Sequence, residues 1–504
     1  MLIGESQHSQ ELRVILNRSR FNFALAPTLN PFLVVNHFIL LKKPIEKTMM
    51  NLKIKKNAFI SSLFILAISV TPIFAQQTRT LTLQDAIQYV AKNYPTIKAK
   101  QAEYDAAQKN ISINKSAFIP SLDVSYQFNY STYNNIIGLY SSQGILPISG
   151  PPSSTNNYTP TFGSAGSLYL NWQPITFGLR SAQIKLSNAD ASNKNYNLQN
   201  EIFEQQIKLI SSYLDVLVAN QIVKVYQENL ERTNFNLSLS KGLTINGLRP
   251  GVDTALFAAE KAKAEVELLN TQKQFSLQQI ILSQQLGSDS LKIEMDTLYF
   301  HHLPLSENSS VKNTPPIYNL FLSQLDYQKA KEKTIKLDVL PKLNLWGIAY
   351  GRGSGAGSNT ATDGFTFSRY NFGAGVQLIM PLLHFTDVRL KSNQQQFFTQ
   401  SAEEKLKQVD LDLRKQQEIA DTTFANSIKI IDKYKVQLSS SLYAYDAMKG
   451  RYEAGLANYS DLIQTQYNLV KAQTELKKAY WDVWKAWLYK AMINGDVNLF
   501  INSK

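Results

Sequence analysis

Residues 121–130 read SLDVSYQFNY. In an extended chain Leu122, Val124, Tyr126, Phe128 and Tyr130 fall on one side, and Asp123, Ser125, Gln127 and Asn129 on the other. Side chains alternate across a strand, so this pattern predicts a strand with one apolar and one polar face. Residues 167–173, SLYLNWQ, repeat it, with Leu168, Leu170 and Trp172 against Tyr169, Asn171 and Gln173. Residues 370–380, YNFGAGVQLIM, put Tyr370, Phe372, Ala374, Val376, Leu378 and Met380 on one side. A fourth candidate strand, 342–351, alternates poorly.

Alternation by itself suits the half-buried strands of a soluble sandwich. The context argues against that reading, because each strand pair stands between long helical patterns with no second sheet to cover its apolar face. Strands of about ten residues, apolar on one face only, match the span of a barrel strand in an outer membrane. Four strands are too few to close around a pore. The choice lies between aggregation and closure by several copies of the chain, and closure is the expectation.

Outward from the strands, the chain is duplicated. Residues 241–268, KGLTINGLRPGVDTALFAAEKAKAEVEL, and 449–476, KGRYEAGLANYSDLIQTQYNLVKAQTEL, agree without gaps at nine places. Among these are Gly247/Gly455, Leu248/Leu456 and Asp253/Asp461. Pro95 matches Pro316 and Pro120 matches Pro341, at an offset of 221 instead of 208. The surplus falls in the Gly-, Pro-, Ser- and Asn-rich stretch 131–163, where a loop tolerates insertion; its partner is the glycine-rich stretch 351–365. Each copy reads as a helix (82–117; 317–338), a strand pair, a very long helix (178–246; 386–454) and a closing helix (253–286; 460–494). The copies span 76–300 and 317–504, joined by a linker at 301–316.

No proline occurs in 175–249, and roughly 70 helical residues extend about 100 Å. Phe203, Ile207, Ile210, Leu214 and Leu217 step by four and three, and Leu462, Leu469 and Leu476 recur every seven. That is coiled-coil spacing. At the turns, Gly247 and Gly455 suit the left-handed end of the incoming helix. Asp253 and Asp461 fall where the outgoing helix begins, where a carboxylate favours the free amides. The turns lie a full helix length from the strands and form the far tips.

The bulk properties exclude several functions. Residues 49–75 combine a basic start with the apolar run AFISSLFILAISVTPIFA, which predicts a secretory signal cut after Ala75. Residues 1–48 show no periodicity and are assigned no role. Without 1–75 the formal charge falls from +13 to +7, with no basic cluster, which does not suggest nucleic-acid binding. Cysteine is absent, and His301, His302 and His384 form no metal-ligand pattern. There is no phosphate-binding G-x-x-x-x-G-K-[ST] sequence. Neither an enzyme, a cofactor nor a metal site is expected.

The pattern F/Y-x-x-G-L-x-x-x-x-D, followed by a helix rich in Gln, Ala and Leu, resembles the outer-membrane efflux protein family, the TolC-like channels. Residues Tyr452 to Asp461 fit it in full; the first copy fits from Gly247 to Asp253, with Thr244 in the aromatic place. The resemblance covers nearly all of 80–495. It implies an α+β membrane protein and a homotrimer whose strands close a twelve-stranded β-barrel, continued by a periplasmic α-helical coiled-coil tunnel. It further implies a passive exit duct for efflux or type I secretion, coupled through a periplasmic adaptor protein to an inner-membrane pump. Gly247, Leu248, Gly455 and Leu456 match adaptor-contact positions. Asp461 matches a residue that rings the narrowest opening, and Tyr452 and Asp253 match a latch between helices. Gln464 stands where the family's best-known member has a second aspartate. Ala457 replaces a latch arginine, and Arg249 is placed to substitute for it. Leu122, Val124, Tyr126, Phe128, Leu168, Leu170, Trp172, Val376, Leu378 and Met380 would face outer-membrane lipid. A trimeric coiled-coil adhesive protein with a barrel anchor is the alternative, although its strands would lie at one end of the chain. A soluble periplasmic helical adaptor would leave the strands unexplained.

Overall fold

Each copy of the repeat is built along one helix of nearly seventy residues. In a computed structural model that describes residues 79–132, 134, 154–304, 314–355 and 364–503, the first copy runs β1 (Arg79–Leu81), α1 (Leu83–Asn93), α2 (Pro95–Ser116), β2 (Ser121–Ser131), β3 (Thr161–Ile175), α3 (Leu179–Ile245), α4 (Gly251–Leu286) and β4 (Leu291–Ile293). The second runs α5 (Pro316–Lys336), β5 (Lys342–Ser354), β6 (Arg369–Ile379), α6 (Phe385–Glu453), α7 (Tyr459–Ile493) and α8 (Asn498–Ile501). The expected signal, the stretch before it, and parts of the linker and of both strand-connecting loops lie outside the described residues.

At 67 and 69 residues, α3 and α6 are each about 100 Å long. No single partner covers that length. On the tip side α4 packs on α3 and α7 on α6, while on the sheet side α2 and α5 take over. The expected helix 82–117 is two helices, because Pro95 removes an amide and holds Tyr94 extended (φ −63, ψ 136). Pro95 and Pro316 both occupy first helical turns. Each abuts the left-handed glycine that ends a tip-side helix in its own copy. A Cβ on Gly287 would lie 3.7 Å from Pro95 Cδ, and one on Gly495 would lie 3.3 Å from Pro316 Cδ and 2.7 Å from Pro315 Cα.

These joints sit in a belt where the main core gathers. Trp484, Trp487, Tyr213, Phe500, Leu209 and Ile210 are buried there, drawn from α3, α7 and α8. Parallel pairing of β1 with β4 closes the belt. The Tyr213 hydroxyl donates to the Glu294 carbonyl (2.9 Å) and accepts from the Asp296 amide (3.0 Å). The Trp484 indole donates to the Tyr299 carbonyl at 2.8 Å. Nearer the tips, Leu462 and Leu469 of the seven-residue spacing are fully buried, and Leu476 packs partly buried against the belt core.

The remaining strands form one antiparallel sheet in the order β2-β3-β5-β6. Its register puts the apolar residues on a common face: Leu122 opposite Leu170, Val124 opposite Leu168, Leu345 opposite both Trp172 and Val376, and Leu343 opposite Leu378. Met380 lies just past the end of β6. Thr161–Gly163, the end of the expected loop, belongs to β3, which begins six residues before the expected strand. The weak fourth strand pairs on both sides, with one irregularity against β3 near Asn344. Its alternation is masked because Gly347, Ala349, Gly351 and Gly353 line the apolar face, opposite Trp346, Ile348 and Tyr350. Over those glycines lies the segment 364–368. Phe365 stacks on Phe128 at 4.7 Å, and a Cβ on Gly166 would come within 2.8 Å of the Phe367 ring.

Replacing Trp484 with alanine is expected to cost about 3–5 kcal/mol by emptying the belt core. Chemical denaturation of the detergent-solubilised protein, followed by helical circular dichroism, checks this.

Candidate functional site at the helical tips

Both tips reverse by the same hydrogen bonds. The Gly247 amide donates to the Thr244 carbonyl (3.0 Å) and the Leu248 amide to the Leu243 carbonyl (2.9 Å). In the second copy Gly455 donates to Tyr452 (3.1 Å) and Leu456 to Arg451 (2.8 Å). Gly247 and Gly455 have φ of 72° and 79°, the left-handed conformation that ends a helix in this motif. The residues after them stay in water: Leu248 is 68% and Leu456 70% exposed, and Ile245 and Val252 are exposed beside them. The two tips thus present small apolar knobs on rigid turns.

Neither tip aspartate is the capping residue itself. Asp253 and Asp461 each occupy the third position of their helix, after Pro250 and Asn458. Asn458 caps α7 by accepting the Asp461 amide at 2.9 Å. Their side chains then part company. Asp461 is exposed, as is Gln464, whose amide group donates to Asn468 (3.2 Å). Asp253 is only 9% exposed and accepts the Tyr452 hydroxyl at 3.2 Å. The fold therefore joins the expected latch pair and leaves Asp461 and Gln464 free on the surface of one copy.

Arg249 joins the same contact. Its guanidinium lies 4.7 Å from the centre of the Tyr452 ring and donates to the carbonyls of Tyr452 (3.5 Å) and Ala457. It thus ties the first tip to the backbone of the second-copy turn. Phe257 packs edge-on against Tyr452 and Tyr459. One turn further from the tip, Tyr467 donates to Glu260 and accepts from Lys263 (2.8 Å).

Beyond the latch runs a buried polar seam that the sequence reading did not single out. Asn229, Thr233, Asn236 and Ser240 of α3 are all buried. Gln466 of α7 donates to Asn229 and to Thr233 (both 2.8 Å) and accepts from Asn236 (2.9 Å). The signal was present as the same four-and-three spacing that marks apolar seams, written in polar residues.

Burial raises the pKa of Tyr452, and the nearby Asp253 charge pushes the same way against a hydrogen bond from Ser240. Burial also pushes Tyr459 up to about 12. These side chains are favoured in the neutral form. Their contribution is complete below the unfolded value of about 10 and is lost as pH rises through the folded value.

The sequence profile of the outer membrane efflux protein family matches residues 86–288 and 335–487, more than half of the chain. The chain belongs to the outer membrane efflux protein family. Its place is accordingly the outer membrane of a Gram-negative cell, with a helical extension in the periplasm. Among curated protein sequences no significant match is found. Solved structures repeat the fold at low identity. The outer-membrane channel OprN superposes with a TM-score of 0.68 at 15% identity, over 83% of this chain and 93% of that one. VceC of Vibrio cholerae gives 0.68 at 14% identity, over 82% and 96%. The open state of MtrE from Neisseria gonorrhoeae gives 0.66 at 12%, over 82% and 89%.

Tyr452→Phe strands the buried Asp253 carboxylate, a loss of about 1–3 kcal/mol locally. Amide exchange in residues 240–256 is then expected to quicken by about tenfold or more, while Asp253→Asn, which keeps an acceptor, stays near the original rate. In an ultraviolet titration, the buried tyrosines are expected to ionise only above about pH 10, with the tips loosening as they do. Ionisation of every tyrosine near the free value would contradict this.

Proposed function

We propose that this efflux-family chain is one third of a homotrimeric exit duct, passive in itself, which receives cargo through a periplasmic adaptor protein from an inner-membrane pump. One observation carries the reading. The sheet has two open edges, β2 and β6, and every residue of β2 is exposed. An open edge bearing an apolar face invites pairing with another chain. Pairing β2 of one copy with β6 of the next satisfies both edges, and three copies of four strands make a twelve-stranded barrel with the polar face inward. Leu122, Val124, Tyr126, Phe128, Leu168, Leu170, Trp172, Val376, Leu378 and Met380 then meet lipid.

The same operation brings three tips around one axis. Asp461, exposed in a single copy, would be repeated as a carboxylate ring with Gln464 beside it, a device that attracts cations. Tyr452, Asp253 and Arg249 hold each α4 against the α6–α7 turn, which supports a closed tip until a partner displaces them. Leu248 and Leu456, offered on the turns made by Gly247 and Gly455, suit the adaptor.

In planar bilayers Asp461→Ala is expected to raise single-channel conductance or weaken block by divalent cations; unchanged conductance and block would return Asp461 to the role of a first-turn acid. At Gly455 an added Cβ meets no atom within 4 Å, so the cost of Gly455→Val begins with backbone strain of about 1–2 kcal/mol at its positive φ. Export is expected to fail while trimers persist on gels, and normal export would remove the docking role.

A further inference from the structure

Arg352 of β5 and Arg369 of β6 are directly opposed, in the cross-strand row Gln127, Ala165, Arg352, Arg369. The row belongs to the polar face. It lies at the end of the sheet remote from the helices, since β5 stops at Ser354 and β6 starts at Arg369 itself. Like charges directly opposite one another weaken a sheet. No carboxylate among the described residues lies within ion-pair distance of either, and Arg369 donates only to the carbonyl of Ser368 (3.1 Å). Neither side chain packs a core: Arg369 is exposed and Arg352 half-buried.

Charge is otherwise scarce in this region. The segments 121–175 and 342–379 hold five charged residues, Asp123, Lys342, Arg352, Asp363 and Arg369. Asp123 and Lys342 belong to the helix-side end of their strands. With Asp363 of the loop counted in full, the outward end keeps a positive surplus in every copy.

We propose that Arg352 and Arg369 form an anion-attracting collar at the outward mouth of the duct, six guanidinium groups in a trimer. The inference rests on the trimeric barrel reading, which turns the polar face inward. A guanidinium stays charged at any physiological pH and is weakly hydrated, so it trades water for an anion readily. Rings of Arg or Lys select anions in the same way that carboxylate rings select cations. The mouth therefore opposes the tips in sign and favours the release of small organic or inorganic anions outward.

The test uses the full chain reconstituted in planar bilayers under a potassium chloride gradient near 0.1 M, where screening extends over about 10 Å and does not hide the collar. The double variant Arg352→Gln, Arg369→Gln is expected to lower the chloride-to-potassium permeability ratio by about threefold or more, read from the reversal potential, while Arg352→Lys, Arg369→Lys retains it. If the glutamine pair fails to assemble, Arg369→Gln alone, at the exposed position, is expected to give a smaller shift of the same sign. Conducting trimers with an unchanged ratio in the glutamine variants overturn the collar and leave the duct standing. Wild-type protein that neither forms trimers nor conducts overturns the duct, and the collar with it.

Discussion

A helix of nearly seventy residues has more flank than one neighbour of ordinary length can cover. That mismatch organises this chain. Each long helix takes two partners end to end, one towards the tip and one towards the sheet, and the partners meet where a left-handed glycine abuts a proline. Gly287 against Pro95 and Gly495 against Pro315 are the same joint made twice. A joint leaves helix ends with unpaired backbone groups, so it has to be sealed. The belt of Trp484, Trp487, Tyr213 and Phe500, with its pair of short parallel strands, does so.

Where local rules decided the outcome, the sequence was legible. Alternation found the strands, the missing proline found the long helices, and the nine matched residues located both tips to the residue. The sequence failed where a tertiary neighbour overrode the local pattern. β5 alternated poorly because Gly351 and Gly353 lie under the segment 364–368, which comes from another part of the chain. β3 read as starting late for the same reason, since Gly166 too lies under Phe367. Pro95 marked the boundary within the first helix, yet a helical pattern continuing on both sides hid the break. At the tips, spacing alone could not separate the two aspartates. Which of them would be buried depends on Tyr452, which arrives from the opposite copy, and on Arg249 stacked over its ring.

That difference between the copies is what the duplication makes available. The turns are identical in their hydrogen bonds, so any divergence between them lies in side chains. One tip contributes the tyrosine, the other the aspartate and the arginine, and their contact exists only across the pair. A repeat of perfectly matched halves would offer no such complementarity.

The amide-and-hydroxyl seam between α3 and α7 has a mechanical consequence. Protein and water are nearly equivalent partners for such groups, so parting the helices along the seam costs less than parting them along the apolar contacts of Leu462 and Leu469 beside it. Indole rings at the belt allow no such exchange. Any splaying that begins at the tips therefore crosses a small apolar cluster and a wettable seam before it reaches the far larger belt core, which gives each hairpin a fulcrum at a defined height.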